Sequence, residues 1–444
     1  MINRRDFLSM SGLALATTAA ATSASKSLAS SSTNKSSQPF KKGFLWGAAS
    51  AGHQVEGNNT NADIWLFENV KPSVFRERSG DACNSFELWE TDLDLAKNLG
   101  LTAYRFSLEW ARIEPTKGYF SNAMLDYYKR IIDGCHARGM TPVVTYNHFS
   151  SPIWFAAQGG WTNDEAPTLF ARFCDVTSKH LADGIGYALT FNEPNLFRLL
   201  TAIGMPEFVW KMQSDMLKAA AKAVNSEKVV GLNALNREDF DLVTKNLLIG
   251  HKMGRDAIKA VRPDLPVGFS LAIIDDHAVG KNSVRDKMRE DLYGAWLKQE
   301  HTDFIGVQNY ERIDWDDKGP TTPPKKALRN SFGHWIDPTS LANTVEYVHK
   351  ASGKPIIVTE HGIATDDDEL RCTFITASVR ELQKVIDKGV PVGGYIHWAL
   401  LDNFEWVSGF NVHLGLHTVD IKTFERKPKN SAFVFGNIAK NNGV

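Results

Sequence analysis

From residue 40 onward, short apolar runs alternate strictly with longer amphipathic stretches, and this rhythm narrows the fold more than any other feature. The runs are FLWGAAS at 44–50, TAYRFS at 102–107, TPVVTYN at 141–147 and YALTFN at 187–192, then PVGFSLA at 266–272, FIGVQNY at 304–310, PIIVTE at 355–360 and VGGYIHWA at 392–399. Helical patterning falls between them, at 85–99, 122–138, 165–183, 239–261, 285–299, 338–351 and 370–388. Near-continuous apolar strands suit a parallel sheet buried on both faces. Eight strand–helix units predict one closed (β/α)8 TIM barrel, not an open doubly wound sheet. No G-x-G-x-x-G follows the first run, which argues against a dinucleotide fold. The chain is longer than an ordinary barrel of about 250 residues, so the surplus is expected in the loops after the strands, where it deepens a pocket. Neither a second domain nor a short-period repeat is visible.

Composition limits the partners. A formal net charge of −1 in 444 residues argues against nucleic acid and anionic membranes. Aromatic residues, 12 Trp and 25 Phe among them, suit stacking on the C–H faces of sugars, although most must serve as core. Cys83, Cys135, Cys174 and Cys372 are widely spaced with no CxxC pair, which reads as free or buried thiols. No metal-ligand spacing occurs among the 13 histidines; His413 and His417 lie in an alternating, strand-like stretch. No cofactor is expected.

The N-terminus reads as an address. NRRDFL at 3–8 carries paired arginines, and an Ala-, Leu-, Gly- and Thr-rich run follows to about residue 24, a pattern like a Tat export signal. Asn3 and Ser9 stand where Ser and Lys are commoner. Ser27-Leu28-Ala29 offers a small-x-small cleavage site, with Ala24 as a second option. The run is too short and too polar to cross about 30 Å of hydrocarbon. The expected division is a signal peptide at 1–29, a Ser-rich flexible segment at 30–39 and a catalytic barrel at 40–444. The expected location is the periplasm or the medium, with no membrane association after cleavage.

Two segments, TFNEPN at 190–195 and VTEHG at 358–362, each set a glutamate at the end of an apolar run. Strand C-termini of a barrel converge on one mouth however distant they are in sequence. Two carboxyl groups about 5–5.5 Å apart are what glycosidic cleavage with retention requires. Alone, such glutamates more often cap a following helix.

Further segments change that balance: FLWGAASAGHQVEG at 44–57, YRFSLEWARIEP at 104–115, YNHFSSP at 146–152, GGW at 159–161, HWALLDNFEWVSGF at 397–410 and RKPKNSA at 426–432. With TFNEPN and VTEHG, they resemble glycoside hydrolase family 1, in order, from about residue 43 to 433. The resemblance implies a retaining exo-glycosidase with Glu193 as general acid/base and Glu360 as nucleophile. It implies that Arg105 and Tyr310 hold the nucleophile. It assigns Gln54, His148, Asn192, Glu405 and Trp406 to binding the glycone, with Trp398 as stacking platform and Asn192 on the 2-hydroxyl. It also implies a cis peptide between Trp398 and Ala399. Because neighbours on a regular strand face opposite ways, Asn192 and Glu193 cannot both face the sugar unless the backbone there is distorted.

Three departures bear on substrate choice. His361 replaces the Asn usual after the nucleophile, Gln308 stands where many members have Asn, and LFRLLTAIGMPEFVW follows TFNEPN without the common Pro-Gly turn. Glu405 is intact, as in members acting on neutral sugars and unlike those acting on phosphorylated ones. The expected activity is hydrolysis of a terminal non-reducing β-linked sugar, β-glucoside first, with β-galactoside and β-fucoside next. A transglycosidase on the same site and a silent sugar-binding barrel are the competing readings. A small-molecule β-glycoside or oligosaccharide is the expected partner, and no oligomeric state is implied.

Overall fold

The computed structural model describes residues 40–444; the expected signal peptide and the Ser-rich segment lie outside the described residues. Eight parallel strands close into a barrel: β1 Leu45–Ala49, β2 Ala103–Ser107, β3 Thr141–Asn147, β4 Tyr187–Asn192, β5 Val267–Ala272, β6 Phe304–Asn309, β7 Ile356–His361 and β8 Val392–His397. Each strand pairs with its sequence neighbour, and β8 closes onto β1, where Leu45 opposes Gly394 and Ala48 opposes His397. All eight expected runs became strands. Their near-continuous apolarity has a simple cause: every residue of β1, β2, β5, β6 and β7 is buried between the barrel interior and the helix layer.

The helices around the barrel are α1 Ser85–Asn98, α2 Asn122–Ala137, α3 Ala166–Leu181, α4 Glu207–Ala223, α5 Phe240–Val261, α6 Ser340–Ser352, α7 Asp368–Asp387 and α8 Asn430–Asn441. On α2, Leu125, Tyr128, Ile131, Ile132 and Cys135 recur at helical spacing and are buried. Its start is fixed by Ser121, whose hydroxyl accepts from the Met124 N–H at 3.3 Å, and Asp367 does the same for α7 through Leu370 at 3.0 Å. The stretch expected as one helix at 285–299 is broken by a wide turn at Glu290–Gly294, between Arg285–Arg289 and Ala295–Leu297. Leu292, Tyr293 and Trp296 are all buried there, and the Tyr293 hydroxyl accepts from Ile274 N–H at 3.2 Å.

Surplus length sits in the loops, as expected. A short parallel pair, Asp275–Ala278 with Arg312–Trp315, extends beyond β5 and β6, and a hairpin joins His417–Val419 to Arg426–Pro428. Helix α4 was not anticipated. It lies in the departure after β4 and buries Met216, Leu217, Ala220 and Ala221 in a cluster with Phe67, Val70 and Val74. All four cysteines are free and buried. No helix among the described residues is long and apolar enough to cross a membrane.

Candidate active site

Two bulges shape the mouth of the barrel. Against β5, Leu189 opposes Gly268 but Asn192 opposes Ser270, so β4 carries one extra residue. Against β6, Val358 opposes Val307 but Glu360 opposes Gln308, so β7 carries one as well. An inserted residue breaks the two-residue alternation and re-aims the side chains beyond it. Glu193 then turns at φ +43°, a conformation costing a non-glycine residue about 1–3 kcal/mol, and its N–H is tied to Ser270 O at 2.9 Å. The distortion expected at Asn192–Glu193 is therefore present. The Trp398–Ala399 peptide is cis.

Arg105 on β2 organises the floor. It is fully buried, and its Nη1 donates to Glu360 Oε1 at 2.5 Å and to Thr359 O at 3.2 Å. Its Nη2 donates to Asn192 Oδ1 at 2.6 Å, and its Nε to Thr145 Oγ1 at 3.2 Å. The Tyr310 hydroxyl donates to the other Glu360 oxygen at 2.6 Å. A buried ion pair is tolerable only when its remaining lone pairs are satisfied, and here each carboxylate oxygen has a donor. Burial pushes the Glu360 carboxyl up, against the opposing pull of the Arg105 charge and the bonds from Tyr310 and Arg105. Tyr310 itself stays a neutral donor, since burial and the Glu360 charge push its phenol well above the ordinary range.

Glu193 is also buried, but its carboxyl makes no hydrogen bond to any described residue. Burial first, then the charges of Glu360 and Glu405, push it well above the usual carboxylate range, with Arg105 opposing. One guanidinium joins the two strand ends: it holds Glu360 directly and Asn192, the neighbour of Glu193, on its other arm. Asn192 Oδ1 also accepts from Gln308 Nε2 at 2.7 Å. With two donors on its oxygen, the Asn192 amide is oriented with Nδ2 as its donating end.

The expected sugar-binding residues converge on the same mouth. Gln54 Nε2 donates to Phe404 O at 2.8 Å, Asn403 Oδ1 at 3.0 Å and Glu405 Oε2 at 3.3 Å. Trp398 Nε1 donates to Glu405 Oε1 at 3.2 Å. Burial pushes Glu405 up to about 8, with the Glu360 charge adding to the effect and the Trp398 and Gln54 bonds opposing it. The His148 ring lies parallel to Trp398, with centroids 5.6 Å apart, and to Trp406 at 6.1 Å. Burial and Arg105 keep His148 neutral. Buried Gln54 Oε1 and His148 Nδ1 have no hydrogen-bond partner among the described residues, an arrangement that costs about 1–3 kcal/mol per group. Polar atoms left open beside an aromatic wall are what a hydroxyl-rich ligand would complete.

The departures are accommodated locally. His361 turns away from the mouth: its Nδ1 lies 2.8 Å from the Tyr395 hydroxyl, its ring is parallel to Phe374 at 5.1 Å, and burial lowers it to about 3. It adds no charge beside Glu360. Gln308 takes a supporting part that the sequence did not suggest, orienting Asn192. Thr145, equally unanticipated, reads as an ordinary strand residue; it opposes Ser107, two residues past Arg105 and on the same face, which is how Arg105 reaches it.

Comparison with known proteins gives the family. The model for glycosyl hydrolase family 1 matches residues 36–233 and 291–444. Beta-glucosidase A of Thermotoga maritima is 29% identical over 454 residues, covering 91% of this chain and 98% of that protein. A cytosolic beta-glucosidase of Homo sapiens is also 29% identical, covering 91% and 99%. Among solved structures, an apo beta-glucosidase 1317 superposes with a TM-score of 0.87 at 39% identity, covering 90% of this chain and 98% of the other. Beta-glycosidase BGL167 gives 0.86 at 40%, covering 92% and 98%. The fold and site define a (β/α)8 barrel glycoside hydrolase. The chain belongs to glycosyl hydrolase family 1. The unmatched stretch, 234–290, holds α5 and β5, which take their regular places in the barrel.

Proposed function

We propose that the protein is an exported, retaining β-glycosidase that removes a terminal non-reducing β-linked sugar, with β-glucosides as first substrates. The observation that carries this reading is the asymmetry of the two carboxyls: Glu360 gripped by Arg105 and Tyr310, Glu193 buried with no hydrogen bond to its carboxyl among the described residues. In the first step a Glu360 oxygen attacks C1 while Glu193 gives its proton to the leaving oxygen. The C1–O bond to the aglycone breaks and a glycosyl ester forms. Glu360 is then neutral, so the Glu193 pKa falls and its carboxylate takes a proton from water attacking C1. The Glu360 ester bond breaks, and the sugar leaves in its original β configuration.

Asn192, with Nδ2 as its donor, suits the 2-hydroxyl; Gln54, His148, Glu405 and Trp406 suit the remaining hydroxyls, and Trp398 the ring face. Glu405 offers hydrogen bonds and no positive charge for a phosphate, which favours a neutral sugar. The names of the relatives support glucose first, and a Bifidobacterium breve relative is a bifunctional beta-D-glucosidase/beta-D-fucosidase. Arg4-Arg5 and the run that follows support Tat-type export, which carries folded proteins and suits a chain whose thiols are buried and free.

A panel of nitrophenyl glycosides differing at C4, C5 and anomeric configuration tests the activity. The reading requires turnover of β-glucosides and none of α-glucosides; failure on every activated aryl β-glycoside would end it. N-terminal sequencing of the mature protein tests export, with cleavage after Ala29 expected and an intact Met1 on the cell-associated enzyme contradicting it.

A further inference from the structure

Behind the loops after β1, β2 and β3 lies a cluster of buried polar side chains whose hydrogen bonds do not reach Glu193 or Glu360. At its centre is Glu109, fully buried, two residues beyond β2. Its Oε1 accepts the His53 backbone N–H at 3.0 Å. Its Oε2 accepts Asn59 Nδ2 at 2.7 Å and the Ser150 hydroxyl. One carboxylate thereby ties the segment bearing Gln54 to the segment bearing His148: His53 precedes the first, and Ser150 follows the second by two positions.

Both attachments are close and specific. The turn at Gly52–Val55 reaches Glu109 only because residue 52 has no side chain: a Cβ there would lie 2.6 Å from the carboxyl. On the other arm, Phe149 sits between His148 and Ser150 at φ +72°, a conformation that a bulky residue keeps only when its surroundings enforce it. The Ser150 N–H bond to His148 O at 2.9 Å and the Ser150 hydroxyl on Glu109 are the enforcing contacts. The link extends to the aromatic wall. His53 Nε2 lies 2.8 Å from Glu68, and its ring is parallel to Trp406 at 6.1 Å, the same indole that His148 parallels.

We propose that Glu109 is a positioning residue for the sugar, touching neither substrate nor reacting carboxyl but setting Gln54, His148 and Trp406 at fixed spacing before substrate arrives. The inference rests on the glycone roles assigned to those three residues under the proposed function. Its rival is a purely structural acid that caps the Gly52–Val55 turn.

Glu109→Gln keeps the shape and turns one acceptor into a donor among four existing donors, the Ser107 hydroxyl at 3.5 Å being the fourth. The expected result on 4-nitrophenyl β-glucoside is a fall in kcat/KM of about 10–100-fold, since misplacing a substrate contact by about 1 Å costs about that much. In a Gln54→Ala/His148→Ala background the same change costs less than about 3-fold, because two of the three contacts that it positions, and both that its bonded segments carry, are already gone. Equal losses in both backgrounds, or an unchanged kcat/KM, overturn the proposal. Should Glu109→Gln fail to fold, Ser150→Ala cuts only the link to the His148 turn. Its loss of about 3–10-fold must vanish in His148→Ala, and persistence overturns the proposal. Wild-type enzyme assayed alongside separates the two levels: an inactive wild type overturns both readings, whereas an active wild type with additive losses overturns this one alone.

Discussion

Glu360 at the end of β7 and Glu193 just past β4 are the same side chain, beside matching bulges, at similar depth in one barrel. They differ in what they touch. Each oxygen of Glu360 meets a donor, from Arg105 and from Tyr310, whereas the Glu193 carboxyl has no hydrogen bond among the described residues and feels burial and the negative charge of Glu360 more than the opposing charge of Arg105. Donors favour the charged form of a carboxyl; burial and like charge favour the protonated form. Residue type therefore does not set the two carboxyls apart. Neighbours on other strands do, chiefly one arginine on β2.

The largest way to break this contrast is Glu360→Gly. Turnover is expected to fall by about 10⁴-fold or more, and azide or formate to restore it with inverted product; rescue without inversion would contradict the assignment. Next is Glu193→Ala, expected to slow substrates with poor leaving groups by about 10²–10⁴-fold while sparing activated ones more. Equal losses on both substrate types would mean that Glu193 is not the acid.

Tyr310→Phe sharpens the contrast. Removing one bond to a charged acceptor is expected to lower kcat about 10–100-fold. The Tyr310 bond lowers the Glu360 pKa, and the proposed attack on C1 needs Glu360 charged, so the acidic limb of the pH profile is expected to move to higher pH. An unmoved acidic limb would show that Tyr310 does not act through Glu360.

Asp63 gives the smallest effect and serves as a control. It is buried behind the sugar-binding loops and bonds neither reacting carboxyl, and desolvation raises it from 3.8 to about 7, against bonds from the Ser151 and Ile64 N–H groups. Its folded pKa exceeds its unfolded one, so the native state binds the proton more tightly, and stability falls as pH rises from about 4 to about 7. Asp63→Asn is expected to flatten that slope, shrinking the Tm difference between pH 5 and 7 by about 2–4 °C. An unchanged slope would argue that burial alone does not set such shifts here.

Strands were legible because a parallel barrel demands apolar residues on both faces, and runs such as PVGFSLA fit little else. The two glutamates were legible because strand ends share a mouth and their motifs are distinctive. Helix α4 was not, since its Ala- and Lys-rich sequence gains its place only from a cluster with Phe67 and Val74, far away in the chain. The parts played by Gln308, Thr145 and Glu109 were not legible for a related reason. Each works through a partner on another strand or loop, and neither periodicity nor local spacing records which side chains will meet across a closed barrel.

The most direct test of the central claim is mass mapping of the enzyme after incubation with an activated 2-deoxy-2-fluoro-β-glucoside, which slows release of a glycosyl ester. The account predicts one fluoroglycosyl group per chain, on the peptide that contains Glu360. A label on Glu193, or no label while the sugar is released as the α-anomer, would contradict it.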